Sequence, residues 1–152
     1  MSGVYLILWD EDTRDKSAVL KPGKGGWPHI TLVHTGKELP SSELVQIIQR
    51  SFPEWAMKSV TLTSACVSSF EEKPGIMRHD VLIALSSVDQ AAVQSTRDAY
   101  LRPCKNSHKF TMRIPHVTHS SHTALEFAES SAQYLNELHL PRQVLVTGMT
   151  IA

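Results

Sequence analysis

The sequence has little of several things, and each shortage narrows the field. Two cysteines, Cys66 and Cys104, are too few for a disulfide framework and lack metal-like spacing. A reducing, cytoplasmic setting is therefore expected. There is no excess of either charge: 15 basic residues balance 15 acidic ones. Strong nonspecific nucleic-acid binding needs surplus Lys and Arg to displace counterions, so it is not expected, although a local basic pocket stays open. No apolar run approaches the ~20 residues of a membrane span. The apolar stretch "VYLILW" near the start is only six residues long and runs straight into Asp10, Glu11 and Asp12. It reads as a strand, not a leader. A chain of 152 residues buries roughly 70% of its unfolded surface and forms a core without disulfides or metal. One domain, a monomer built as two small lobes and spanning 1–152, is expected.

The pattern of apolar residues supplies the elements. Val4 to Trp9 reads as a buried strand, residues 10 to 27 as a long loop, and His29 to His34 as a second strand ended by Gly36 and Pro40. A helix is expected from Ser42 to Phe52, capped by Ser41 or Ser42, with Leu44, Ile47, Ile48 and Phe52 as its stripe. Strands follow at Val60 to Phe70 and Asp80 to Leu85, with "EEKPG" as the turn between them. Ser87 with Gln90 and Thr123 with Glu126 look like capping boxes for two further helices, one ending near Leu101 and one carrying Leu125, Ala128, Ala132, Leu135 and Leu138 on one face. Lys109 to Ile114, His116 to Ser120 and Gln143 to Ile151 read as extended. Strand pairs alternating with single helices predict an α+β protein with mainly antiparallel sheets.

Eight histidines are the unusual total, and two sit in a repeated phrase. "WPHITLVH" spans Trp27 to His34, and "IPHVTHSS" spans Ile114 to Ser121; His29 and His116 lie 87 positions apart. Side chains alternate along a strand, so His29 and Thr31 share one face while Ile30 and Leu32 take the other. His116 and Thr118 repeat the arrangement around Val117. If the two phrases face one another, a site holds two imidazoles and two hydroxyls. That set suits displacement at a phosphodiester. A neutral histidine takes the proton of the attacking group and a protonated one donates to the leaving oxygen, both states being accessible near an unperturbed pKa of about 6.5. Threonine hydroxyls donate to the nonbridging oxygens, where charge accumulates. The scheme requires no cofactor and no metal.

These two phrases, "PHITL" and "PHVTH", resemble the paired signature of the 2H phosphoesterases, the LigT-like and cyclic-phosphodiesterase-like enzymes. Their pattern is His-hydrophobic-Thr/Ser-hydrophobic, given twice. The resemblance implies a bilobal LigT-like fold: two pseudo-twofold-related lobes, antiparallel sheets around a central cleft, and helices outside. It implies metal-independent cleavage of phosphodiesters at a ribose 2′ position, on nucleoside 2′,3′-cyclic phosphates, 2′,5′-oligoadenylate, RNA ends or cyclic dinucleotides. The size of the chain favours a small nucleotide or short oligonucleotide as its partner. Carried over, His29 and His116 become the acid–base pair, and Thr31 and Thr118 the phosphate binders. His119 stands where the pattern has a hydrophobic residue, which reads as an exposed strand edge.

Other residues are candidates for substrate contact. Trp27 either stacks on a base or packs in the core. Lys24 in "GKGG" and Arg113 ahead of the second phrase are candidate phosphate contacts, against a plain solvated role. Tyr5, Ile7 and Trp9 share a face of the first strand, so Tyr5 or Trp9 lines a cleft if that face looks inward. The "KPGKGG" loop lacks the Lys-Ser/Thr ending of a P-loop. Two rival readings stand beside the phosphodiesterase. One is a noncatalytic RNA- or nucleotide-binding module, which neutral charge and the lack of an RNP-like aromatic pattern argue against. The other is a zinc hydrolase using His116, His119 and His122, which an extended chain disfavours because His119 then faces away from the other two. His34, His79, His108 and His139 read as surface or loop residues.

Overall fold

The structure, a computed structural model, describes residues 2–10, 19–20, 28–36, 42–101 and 114–151. Six strands and three helices are described: β1 (Ser2–Trp9), β2 (His29–Gly36), α1 (Ser42–Trp55), β3 (Ser59–Lys73), β4 (Ile76–Leu85), α2 (Ser87–Leu101), β5 (His116–His122), α3 (Leu125–Leu138) and β6 (Arg142–Ile151). The α+β order agrees with the sequence pattern. The extended piece expected at Lys109 to Ile114 lies outside the described residues up to residue 113, and Ile114 is not in a strand.

Period-two burial sorts each strand into two faces. Val4, Leu6 and Leu8 of β1, Ile30 and Leu32 of β2, Val81, Ile83 and Leu85 of β4, Val117 of β5, and Val144 and Val146 of β6 are all buried. They form one core with Ile48 and Trp55 of α1, Val93 of α2, and Ala128, Ala132 and Leu135 of α3. Each fully buried aliphatic side chain there contributes about 1.5–3 kcal/mol. Val19 and Leu20 join this core, so the expected long loop is anchored at that point. The opposite face carries half-buried or exposed side chains: Tyr5, Ile7, His29, Thr31, Leu82, Ala84, His116 and Thr118.

Every pairing among the described strands is antiparallel, and the pairings close these strands into a ring in the order β1-β2-β5-β4-β3-β6. The ring is uneven. Among the described residues β2 meets β5 through a single pair, Ile30 with Val117. Where β6 leaves β3 beyond Leu62, the Asn136 side chain of α3 takes over the vacated edge. Its Oδ1 accepts from the Ala65 N–H at 2.8 Å, and its Nδ2 donates to the Ala65 carbonyl at 2.9 Å.

Several local details differ from the sequence reading. The cap of α2 is Ser86, one residue earlier than Ser87. Its Oγ accepts from the Asp89 N–H at 3.3 Å and donates to Asp89 Oδ2 at 2.8 Å, while that carboxylate also accepts from the Thr61 N–H. α3 starts after Ala124, whose side chain has nothing to cap with, so Thr123 is not the cap. α1 runs through Pro53 to Trp55 rather than stopping at Phe52. The reason is Trp55, which is buried and donates its Nε1–H to Thr96 Oγ1 at 3.0 Å.

Candidate active site

The lone pair between β2 and β5 falls in the middle of both repeated phrases. In antiparallel register, that pair puts His29 across from Thr118 and Thr31 across from His116. On the outer sides, Thr31 pairs with Tyr5 and His29 with Ile7, while His116 pairs with Ala84 and Thr118 with Leu82. Two rows result across four strands, one of Tyr5, Thr31, His116 and Ala84, the other of Ile7, His29, Thr118 and Leu82. Within the β1–β2 and β4–β5 ladders directly opposed residues have Cβ atoms about 4.5–5.5 Å apart, and among the described residues Ile30 with Val117 is the pair that joins the two ladders. Two imidazoles and two hydroxyls therefore share one small patch on the face away from the core.

The two halves of the patch are held differently. The Tyr5 ring meets the His29 ring edge-on, with centroids 5.0 Å apart and planes at 75°. Burial pushes the Tyr5 hydroxyl above its ordinary pKa. Behind β2 lies Arg97 of α2, only 4% exposed. Its Nη2 donates to the Thr31 carbonyl at 2.8 Å and its Nε to the Leu32 carbonyl at 2.9 Å. Burial lowers the Arg97 pKa, and Asp98 opposes that shift; a guanidinium still holds its charge at neutral pH. In the other half, His116 Nδ1 lies 2.8 Å from the Ile114 carbonyl. A carbonyl only accepts, so Nδ1 carries the proton in this contact.

The remaining expected site residues divide into three groups. Trp9 and Tyr5 do lie on the same face as the patch. Lys24, Trp27 and Arg113 fall outside the described residues. His119 does not mark an exposed edge. It is 8% exposed and occupies a bulge, because Leu82 pairs with Thr118 and Val81 with Ser120, leaving His119 as the extra residue. Its Nδ1 lies 2.9 Å from Ser120 Oγ, which lies 2.9 Å from His122 Nε2. His116 thus faces the patch while His119 is buried with Val117, and among the described residues no three His, Cys, Asp or Glu side chains gather as a metal site. His79 is buried too, not superficial, with Nδ1 2.6 Å from Ser69 Oγ.

Sequence reasoning missed Arg97. Its signal was present, since Asp89, Val93 and Arg97 fall at helical spacing on the buried face of α2. A charge that continues an apolar stripe has something specific to bond. The ion pair of Asp10 with Arg142 joins residues far apart in sequence and had no local signal.

No protein-family model and no curated protein matches the sequence. Solved structures do match. Kluyveromyces marxianus Usb1 superposes with a TM-score of 0.53 at 13% identity, covering 99% of this chain and 96% of that one. The fold is that of Usb1. A second Kluyveromyces marxianus Usb1 structure, with uridine monophosphate, gives a TM-score of 0.58 at 12% identity over the same shares of both chains. Usb1 is a member of the 2H phosphoesterase superfamily, so the resemblance drawn from the two phrases is matched at the level of fold over nearly the whole chain.

Proposed function

We propose that the protein is a metal-independent phosphodiesterase that hydrolyses 2′-linked nucleotide phosphodiesters by two-histidine acid–base catalysis. The observation that carries this reading is the Ile30–Val117 pair, which sets one His-x-Thr against the other. Likeness to Usb1 in fold supports it, as does the nucleotide in one Usb1 structure.

On this reading the ring is two lobes related by a pseudo-twofold. β2-β1-β6 is one and β5-β4-β3 the other, each with its phrase on an edge strand that leads into a helix. The phosphate sits between the two rows, with Thr31 and Thr118 donating to its nonbridging oxygens. One histidine, neutral, removes a proton from the attacking water. The other, protonated, delivers one to the leaving ribose oxygen. The P–O bond to that oxygen breaks as the new P–O bond forms, and the pair ends with its protonation states exchanged. His116 works through Nε2, with Nδ1–H fixed on Ile114. Tyr5 limits the swing of the His29 ring.

The test is a screen with EDTA present throughout. 2′,3′-cyclic mononucleotides, 2′,5′-oligoadenylate and cyclic dinucleotides are offered, and products are resolved by chromatography. Turnover of at least one class is expected. Nucleotide binding without turnover across the panel would leave only a binding module, and activity lost to EDTA would point to a metallohydrolase.

A further inference from the structure

The ring leaves one stretch of sheet edge open. β6 pairs with β3 only from Ser59 to Leu62, while β3 runs on to Lys73, so among the described residues no strand flanks Ala65 and its successors on that side. The Asn136 amide shows what this edge accepts. Its bonds to the Ala65 N–H and carbonyl, at 2.8 Å and 2.9 Å, are the two that a neighbouring residue makes in an antiparallel ladder. From Ser64 to Glu71 the register against β4 is regular. Backbone groups alternate sides along a strand, so Val67, Ser69 and Glu71 point their N–H and C=O the same way as Ala65. Among the described residues none of the three has a main-chain bond on that side.

A helix walls this edge. α3 begins just after His122, which pairs with His79, which in turn pairs with Ser69; near its other end Asn136 reaches Ala65. The helix therefore runs alongside the open stretch. Leu125 and Glu129 lie on the side of α3 that carries Asn136, at i, i+4 and i+11. Leu125 is 43% exposed, and Glu129 is exposed too. On β3, Val67, Ser69 and Glu71 pair with Val81, His79 and Met77, which puts their side chains on the face that α3 covers. The charges there have one sign. Glu71 stands on the strand and Glu126 and Glu129 on the helix, and α3 contains no Lys or Arg. Lys73 comes after the regular ladder, at the turn.

We infer that this edge docks a basic, extended segment of another protein, added antiparallel as a further strand beside β3. Main-chain bonds to Val67, Ser69 and Glu71 attach it, and alternate lysine or arginine side chains on the α3 side meet Glu71 and Glu129. Directly opposed residues share a face, so those basic residues are also the ones whose N–H groups turn toward β3. A second copy of this chain is a poor occupant. Pairing centred on Ser69 would set Glu71 of each copy opposite Val67 of the other, beside its Glu129, acid against acid. The docked strand extends the face that carries the histidines, because Cys66 pairs with Leu82 and Leu82 with Thr118. The bound protein is thus held at the rim of the candidate active site, and the inference stands apart from the hydrolase reading.

The probe is a short peptide of alternating lysine and valine, blocked at both ends and titrated into ¹⁵N-labelled protein. The Val67, Ser69 and Glu71 amide resonances are expected to shift saturably and to gain protection from hydrogen exchange. Those of Cys66, Ser68 and Phe70, already turned toward β4, should exchange as before. Methylating the backbone nitrogens of the peptide's lysines should abolish binding, whereas methylating those of its valines should leave it intact. Glu71→Gln combined with Glu129→Gln should weaken binding about 3- to 10-fold, the scale of two exposed ion pairs. Glutamine at position 71 keeps an oxygen for the Gly75 N–H, so the turn survives the change. Edge amides unmoved by the peptide overturn the inference, as does equal binding of a glutamate–valine peptide. Protection of the same amides in the protein alone, rising with concentration alongside a dimer mass in light scattering, assigns the edge to a second copy and overturns it too.

Discussion

The two copies of His-x-Thr are alike in sequence and unlike in support. The first lies on β2, with the β1 ladder on one side, a tyrosine ring against its imidazole and a buried arginine holding two of its carbonyls. The second lies on β5, with the β4 ladder on one side, a bulge at His119 immediately after it, and an imidazole whose Nδ1–H donates to the Ile114 carbonyl two residues back. The contrast separates what the chemistry requires from what the scaffold supplies. Both copies present the same imidazole and hydroxyl, at the same spacing, around a fully buried aliphatic residue. The props are local solutions, and breaking each one tests a different part of the account.

The largest effect is expected where the copies agree. His29→Ala and His116→Ala should each lower kcat/KM by about 10²–10⁴-fold, the usual scale for losing a general acid or base. Circular dichroism and the melting temperature should stay near wild type, since both side chains are only half buried. Near-normal activity in either variant would remove that histidine from the mechanism. Thr31→Val and Thr118→Val come next, each at about tenfold, the scale of one lost hydrogen bond to a charged group.

Where the copies differ, the effects should differ too. Arg97→Met leaves the Thr31 and Leu32 carbonyls without their buried donor, and should cost about 2–3 kcal/mol in urea unfolding. It should also lower kcat through the first copy alone, so that Arg97→Met added to His29→Ala costs little further activity. Full additivity in that cycle would mean Arg97 supports the fold without positioning the first copy.

The smallest effect is a pH dependence from Tyr5. Burial raises its pKa above the ordinary 10.0, so above that pH the folded chain keeps a proton that the unfolded chain has lost. Stability should therefore be full below about pH 10 and fall as pH rises further. Tyr5→Phe should remove that portion of the decline, as read from urea midpoints across the range. An identical decline in wild type and variant would locate the titration elsewhere.

Much of this was legible in the sequence because it is local. The order of strands and helices follows from short apolar periods, and the two phrases announce themselves as a repeat. What was not legible depends on contacts between distant residues. The Ser86 cap was displaced from Ser87 because Asp89 also serves the Thr61 N–H. His119 became a buried bulge because β4 and β5 slip by one residue there, which no property of "PHVTH" records. The placement of Trp9 needed the register of β1 against β2, and the Asp10–Arg142 ion pair needed the return of β6 beside β1. Lys24, Trp27 and Arg113 depend on segments outside the described residues.

The central claim is that two imidazoles, one neutral and one protonated, act together on a phosphodiester. The pH dependence of kcat/KM, measured in EDTA on the substrate that turns over fastest, tests it most directly. The account predicts a bell, with both limbs set by histidine-like groups, and a single limb in whichever histidine variant retains measurable activity. A wild-type profile that is flat or single-limbed through the neutral range would contradict it.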